Sequence, residues 1–396
     1  MNPSRLLLAL MYAAFVSLGL PDGAFGVAWP AMRAELGQPL EALGLVTLLW
    51  TTCSALSGLV SARVLEWLGT LTVVLASGLV TGLCLLGFAW APTFAVVVAL
   101  ALPFGFGAGS VDAGLNHHAA AHYRSRHMNW LHAAWGVGAT LGPLAVTAAV
   151  SAGRGWRLGY VVISAAQLLL VVLLFLSRRL WESAPVRSEV ASETGAVAVV
   201  TRAEPPVAAL ILAPLTYALY VGAEGGVGLW AASVLREGRG FDASLAGSLA
   251  SIYFAAITLG RVISGLVSDH IGNRTMVRCG LALASLGVML FALPLGVVGA
   301  FAGLVLVGLG FAPIYPCLMH ETARRFDAPT AAKVIGRQVA FAYLGGMLLP
   351  PLIGVAAGKV GLWVVAPLVL SLVAILALCV VLLDKKTPLP AVEKTL

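Results

Sequence analysis

The chain has 396 residues, of which 60% are hydrophobic and only 10% charged, with a formal net charge of +7 and a mean hydropathy of +0.96. Soluble domains carry about 25% charged residues, so this composition excludes a water-soluble fold and points to the membrane. Five cysteines, Cys53, Cys84, Cys279, Cys317 and Cys379, lie in apolar segments without a CxxC pair. That placement reads as packing and argues against a disulfide or metal framework.

Apolar stretches long enough to cross a bilayer of about 30 Å recur from end to end. Twelve are read, near 5–29, 42–63, 70–89, 93–118, 129–150, 157–177, 206–232, 243–268, 275–293, 298–320, 335–357 and 362–383. The first begins like a signal peptide, with Arg5 ahead of Leu6-Leu7-Leu8, but its apolar run continues past Asp22 and is taken as a span. With the N-terminus inside, one face gathers Arg63, Arg124, Arg126, Arg178, Arg179, Arg274, Arg278, Arg324, Arg325, Lys385 and Lys386, among others. The other face holds Arg33, Arg154, Arg157, Arg236, Arg239 and Lys359. The positive-inside rule then places both termini in the cytosol of a bacterial-type inner membrane. The same bilayer-following pattern accounts for the positive charge and excludes a nucleic-acid partner.

The longest polar stretch divides the chain into an N-terminal six-helix bundle (1–177), a cytosolic linker (178–205) and a C-terminal six-helix bundle (206–396). The halves repeat. Gly105-Phe106-Gly107 in span four answers Gly308-Leu309-Gly310 in span ten. Gly138-Ala139-Thr140-Leu141-Gly142-Pro143 in span five answers Gly345-Gly346-Met347-Leu348-Leu349-Pro350 in span eleven. Two pseudo-symmetric bundles related by an axis along the membrane normal are expected.

Against this background acidic residues stand out. Asp22, in Asp22-Gly23-Ala24-Phe25-Gly26, and Glu224, in Glu224-Gly225-Gly226-Val227-Gly228, occupy matching depths in the two halves. Asp112 lies in span four, where its repeat partner is Tyr315. An ionised side chain mid-membrane costs roughly 3 kcal/mol on insertion scales, so each is a functional candidate. Asp112 is a candidate for proton coupling or substrate contact, with a permanent ion pair to Arg261 as the structural alternative. Asp22 and Glu224 have the further alternative of ordering helices broken at the adjacent glycines. Arg261, facing Ser54 in the repeat, could bind substrate, pair with a carboxylate or snorkel. Five of seven histidines fall between 117 and 132; His118 and His122 have an i,i+4 spacing but sit among basic residues, and no metal site is read there. His132 lies deeper and could hydrogen-bond substrate or shuttle protons. Trp135, Tyr217, Tyr220, Trp230, Tyr315 and Tyr343 are candidate cavity aromatics. Trp29, Trp90 and Trp363 read as interfacial anchors.

The segment Gly265-Leu266-Val267-Ser268-Asp269-His270-Ile271-Gly272-Asn273-Arg274 resembles the loop signature of the major facilitator superfamily, Gly-x-x-x-Asp-x-x-Gly-x-Arg. That resemblance implies a cytosolic gating loop carried by Gly265, Asp269, Gly272 and Arg274. In the first half Ala62 stands where Asp269 would be and the glycine is delayed to Gly69. Asp112-Ala113-Gly114-Leu115-Asn116, Asn129-Trp130-Leu131-His132, Tyr220 to Glu224 and Gly345 to Pro351 are together similar to the fucose–galactose–glucose:proton symporters and the related sodium-dependent glucose transporter-like proteins. The resemblance implies an all-α major facilitator fold of twelve transmembrane helices. It also implies sugar binding and proton coupling at Asp22 and Asp112, with Asn116 beside them. His117-His118 depart from that group's pattern after Asn116.

The expected function is therefore secondary active transport, a cation-coupled symport of a sugar or similar polar solute, with the proton favoured over sodium. A monomer needing no cofactor, with a small-molecule solute, a coupling cation and the lipid bilayer as partners, is expected. A drug or lipid exporter of the same fold is the rival, since Gly138 to Pro143 partly resembles the span-five signature of antiporters. An enzyme is not expected, because no nucleophile–base pair appears.

Overall fold

A computed structural model describes residues 3–123, 125–182 and 205–387. All secondary structure among the described residues is helical. The first half contains α1 (Pro3–Leu36), α2 (Ala42–Leu68), α3 (Thr70–Trp90), α4 (Phe94–His122), α5 (Ser125–Ser151) and α6 (Gly155–Leu176), followed by the short α7 (Arg178–Glu182). The second half contains α8 (Val207–Ser233), α9 (Ala243–Ile271), α10 (Asn273–Ala292), α11 (Gly296–Phe311), α12 (Ile314–Arg325), α13 (Ala328–Val360) and α14 (Val365–Lys386). A π-helical turn, Val234–Gly238, prolongs α8. Twelve helical spans are long and apolar enough to cross a membrane, with α11 and α12 together making the tenth. The linker expected at 178–205 begins as α7, and residues 183–204 of it lie outside the described residues.

Three corrections to the span reading concern local structure. First, α1 runs unbroken past Asp22 and Gly23, and α8 past Glu224 and Gly225, so neither acid orders a broken helix end. The glycines serve close packing instead. Second, span ten is split at Ala312–Pro313, where Pro313 precedes α12 and cannot donate to the helical ladder. Third, the gating segment is not an extended loop. Helix α9 continues through Ile271, and the reversal is made by Gly272 alone at φ +82°, a backbone conformation that favours glycine. Gly69, at φ +75° between α2 and α3, makes the equivalent reversal in the first half.

The repeated glycines seat equivalent helix pairs. A Cβ on Gly138 or Gly142 would lie 1.8 Å from the carbonyl oxygen of Val16 or Leu20, so α5 crosses α1 backbone to backbone. In the second half, a Cβ on Gly345 of α13 would lie 2.0 Å from the Ala218 oxygen of α8. Likewise Gly105 and Gly109 bring α4 against Trp50 and Ser54 of α2, and Gly308 brings α11 against Tyr253 of α9. Without a hydrophobic driving force between helices in lipid, such close approaches supply the dispersion contacts that hold a bundle together.

The halves meet mainly through α5 against α9, α2 against α13 and α1 against α8. Gly136 lies against Thr258 at mid-height, and Thr52 Oγ1 approaches Met347 Sδ at 3.0 Å. Toward the face opposite the termini, Gly26 packs on Leu229, Gly44 on Pro351 and Thr147 on Gly247. At that face Arg33 forms a two-pronged ion pair with Glu237. Exposed Leu59, Leu169, Leu266, Val298 and Leu378 lie on the outside of the helices, as expected where the solvent is hydrocarbon.

Candidate functional site

Two cavities lie at mid-height. The first, about 310 Å³, is lined by residues of the first six helices and by Tyr343 of α13. Its wall carries Asp22, Asp112 and His132, with Ser17, Ser54, Thr81 and Gln167 as uncharged polar groups. Trp50, Phe104, Trp135 and Tyr343 supply aromatic surface. The second, about 360 Å³, lies between the halves and is lined by Glu224, Arg261, Tyr220, Tyr315 and Phe254 from one half. Asp22, Phe25, Thr47, Trp50 and Trp135 line it from the other. Asp22, Trp50 and Trp135 belong to both cavities, so together these form one interior, largely apolar with a few converging polar groups, of a size suited to a small solute.

Each acid has a distinct environment. Asp22 Oδ2 accepts a hydrogen bond from Trp135 Nε1 at 2.8 Å. Asp112 Oδ1 accepts from Asn116 Nδ2 at 3.0 Å, one turn further along α4. Neither forms an ion pair among the described residues. Glu224 does: its Oε1 lies 3.1 Å from Arg261 Nη2, the side chains being 15% and 22% exposed. Arg261 is therefore the partner of Glu224 and not of Asp112, which corrects the alternative drawn from the sequence. The guanidinium also sits 5.7 Å from the Trp135 ring centre, a cation–π distance. Tyr253 steadies this corner by donating to the Glu224 main-chain oxygen at 2.8 Å.

Of the expected aromatics, Trp135, Tyr220, Tyr315 and Tyr343 line the cavities. Tyr217 and Trp230 do not. Tyr217 is fully buried and its hydroxyl donates to the Tyr315 oxygen at 3.0 Å. Trp230 is fully buried, donates to the Pro350 oxygen at 2.8 Å and rests on Gly354, where a Cβ would lie 2.2 Å from the ring. Both are packing residues, because each ring fills a space the neighbouring helix leaves for it. Trp29 is likewise core and not an interfacial anchor: it is fully buried and donates to the Leu40 oxygen. Trp90 and Trp363 are exposed. Asn116 reaches the site only through Asp112, and His132 lines the first cavity edge-on to Phe15.

His118 and His122 stack with ring centres 4.1 Å apart rather than converging on a common point. Among the described residues no group of three metal-ligating side chains occurs. In the gating segment, Arg274 bonds Glu321 at 2.8 Å and the Thr387 oxygen, joining Arg278, Arg325 and Asp384 in a charged cluster at the face of the termini. A Cβ on Gly265 would meet open space. The Asp269 side chain lies outside the described residues.

Sequence reasoning missed Trp50, Phe25, Phe104, Thr81 and Gln167 as lining groups. Gln167 Nε2 donates to Thr81 Oγ1 at 2.9 Å, and an amide within the apolar run of α6 was the available signal.

Twelve helical spans in two repeated halves around a shared cavity are an arrangement that suits a membrane transporter, and the chain's likeness to known proteins agrees. Residues 10–243 and 215–395 each match the family model described as Major Facilitator Superfamily, and the chain belongs to that superfamily. It is 28% identical over 347 residues to the uncharacterized transporter y4wD of Sinorhizobium fredii, covering 86% of this chain and 88% of the relative. It is 24% identical over 353 residues to an uncharacterized MFS-type transporter of Yersinia pestis, covering 86% of each. Among solved structures, a bacterial homolog of the human lysosomal transporter Spinster, inward-facing and occupied, superposes with a TM-score of 0.76 at 14% identity over 98% of both chains. A mutant of the nucleoside transporter NupG gives 0.74 at 14% identity, over 94% of this chain and 98% of that one. At these identities the structural likeness speaks for the fold. The fold and relatives are those of transporters rather than enzymes.

Proposed function

We propose that the chain is a proton-coupled symporter of a small hydroxylated solute, with sugars as the first class to test. In this reading it works by alternating access between residues 1–177 and 206–396, joined by the linker 178–205. The observation that carries it is the pair Asp22 and Asp112, which face one cavity without a compensating cation among the described residues. A carboxylate held away from water and unpaired is costly while charged. Taking up a proton removes that cost and lets the loaded carrier reorient; losing it at the other face resets the cycle. Reorientation needs the solute and proton to stabilise the two orientations differently. Ser17, Ser54, Thr81 and Gln167 offer hydrogen-bonding groups for hydroxyls, and Trp50 and Trp135 offer faces on which a pyranose ring can stack.

In this reading the carrier works as a monomer in an inner membrane, and the distribution of Arg and Lys supports cytosolic termini. Contacts packed from mid-height to the face opposite the termini support an inward-facing state. Proteoliposomes with an imposed proton gradient and a panel of labelled hexoses test the reading. Asp112→Asn should abolish gradient-driven accumulation while solute exchange persists. Uptake indifferent to both proton and sodium gradients would refute it.

A second reading, export of lipophilic cations by proton antiport, is favoured by one feature. The same two carboxylates are surrounded by Trp50, Phe104, Trp135 and Tyr343, a combination that also suits an organic cation. Resistance to lipophilic cations on expression, without hexose binding, would select it.

A further inference from the structure

We propose that Trp135 is a positioning residue that couples the charge state of Asp22 in one half to the Arg261–Glu224 pair in the other. Three contacts in series carry this. The indole N–H donates to Asp22 Oδ2 at 2.8 Å. The face of the same ring lies under the Arg261 guanidinium at 5.7 Å. Arg261 Nη2 in turn holds Glu224 Oε1 at 3.1 Å. The chain Asp22–Trp135–Arg261–Glu224 thus runs from α1 through α5 to α9 and α8, and crosses between the halves where both cavities share a wall.

The backbone that carries the ring is fixed from behind. The α1–α5 crossing leaves no room for even a Cβ on Gly19, which would lie 2.0 Å from the Trp135 oxygen. Next along α5, a Cβ on Gly136 would lie 2.4 Å from Thr258 Oγ1 of α9. The main chain of α5 at this height is therefore held against both halves, and the indole is the part left free to respond. An ionised Asp22 accepts strongly from the indole N–H, since hydrogen bonds to charged acceptors are about twice as strong as neutral ones. That bond keeps the ring face presented to Arg261. When Asp22 takes up a proton it becomes a weaker acceptor, the ring loses its anchor, and Arg261 loses its contact with the first half while keeping Glu224. The link between halves loosens when the acid is neutral, which favours reorientation of the loaded, protonated carrier. The other titratable groups facing this point are Asp112 and His132 from α4 and α5, Tyr220 and Glu224 from α8, Tyr315 from α12 and Tyr343 from α13. Of these, Glu224 pairs with Arg261 at 3.1 Å and the Tyr220 hydroxyl lies beside the same guanidinium.

The inference rests on the coupled-carrier reading, and its test reads conformation without any solute. Spin labels at Thr93→Cys and Leu295→Cys, on the face opposite the termini in the two halves, report the separation there in purified protein lacking its native cysteines. The open-to-closed ratio is measured with Asp22 and with Asp22→Asn, each in a Trp135 and a Trp135→Phe background. Asp22→Asn should change the ratio by fivefold or more in the Trp135 background and by less than twofold in Trp135→Phe. Trp135→His, which keeps a ring N–H, should restore part of the response. An equal change in both backgrounds overturns the relay. Should Trp135→Phe not fold, a cycle of Asp22→Asn with Arg261→Lys decides: additive effects overturn the proposal and strong non-additivity supports it. A protein that shows the relay but moves no hexose would retain this inference and lose the sugar reading.

Discussion

Replacing Glu224 by Gln removes the negative member of a pair whose atoms lie 3.1 Å apart. At an effective dielectric of about 20, two unit charges at that separation attract by about 5 kcal/mol. Desolvation of both groups offsets much of this, so the pair contributes little net stability over an apolar replacement. Breaking it is another matter, because a guanidinium is left without its carboxylate. For fully buried pairs that costs roughly 3–5 kcal/mol. Here the side chains are 15% and 22% exposed to cavity water, and Arg261 keeps the Trp135 face, so about 2 kcal/mol is expected. Thermal unfolding of detergent-purified protein, followed by helix signal, should show a fall of about 4–8 °C in Tm for a cooperative unit the size of one half. The double variant Glu224→Gln with Arg261→Gln leaves no orphan charge and should be more stable than Glu224→Gln alone. If the losses of the two single variants simply add in the double, the pair does not behave as a compensated buried charge and the reasoning fails.

Other expectations are read from packing and from the inter-half contacts. Gly138→Ala should abolish folded protein on size-exclusion analysis, because its Cβ meets the Val16 oxygen at 1.8 Å, whereas Gly58→Ala meets open space and should gain up to about 1 kcal/mol of helix stability. Trp230→Phe deletes the bond to the Pro350 oxygen and should lower stability by about 1 kcal/mol without changing which solutes compete for uptake; an altered solute profile would return Trp230 to the cavity. Gly358 lies directly against the Glu41 carboxylate across the halves, so Glu41→Cys with Gly358→Cys should be joined by a short thiol-reactive linker in this conformation. That link should stop solute flux, and unaffected flux would show that the halves do not separate at this face.

The spans were legible because hydropathy is a property of each residue summed along a window, and lipid imposes it without reference to the fold. The acids were legible for the same reason, since a carboxylate inside an apolar run needs an explanation wherever it sits. Partner choice was not. By depth alone Arg261 reads as a possible partner of Asp112, and only the packing of α9 beside α8 brings it to Glu224. Nor could the aromatics be sorted. Tyr217 and Trp230 differ from Trp135 and Tyr343 not in type but in which side of the helix meets a neighbour, and Trp29, although near a span end, is turned into the core. Trp50 and Gln167 were overlooked because an aromatic or amide in an apolar helix is unremarked until its neighbours leave a space beside it.

The sequence by itself determined that this chain has twelve spans in two related halves, and that carboxylates lie at three points within them. Transfer from water to hydrocarbon is additive over residues, and a duplicated pattern of glycines survives in one dimension. The tertiary structure alone decided which charges are compensated, which rings face the cavity, and that one tryptophan touches both halves at once. Those are relations between helices distant in sequence, fixed where glycine lets two backbones meet, and no local window contains them.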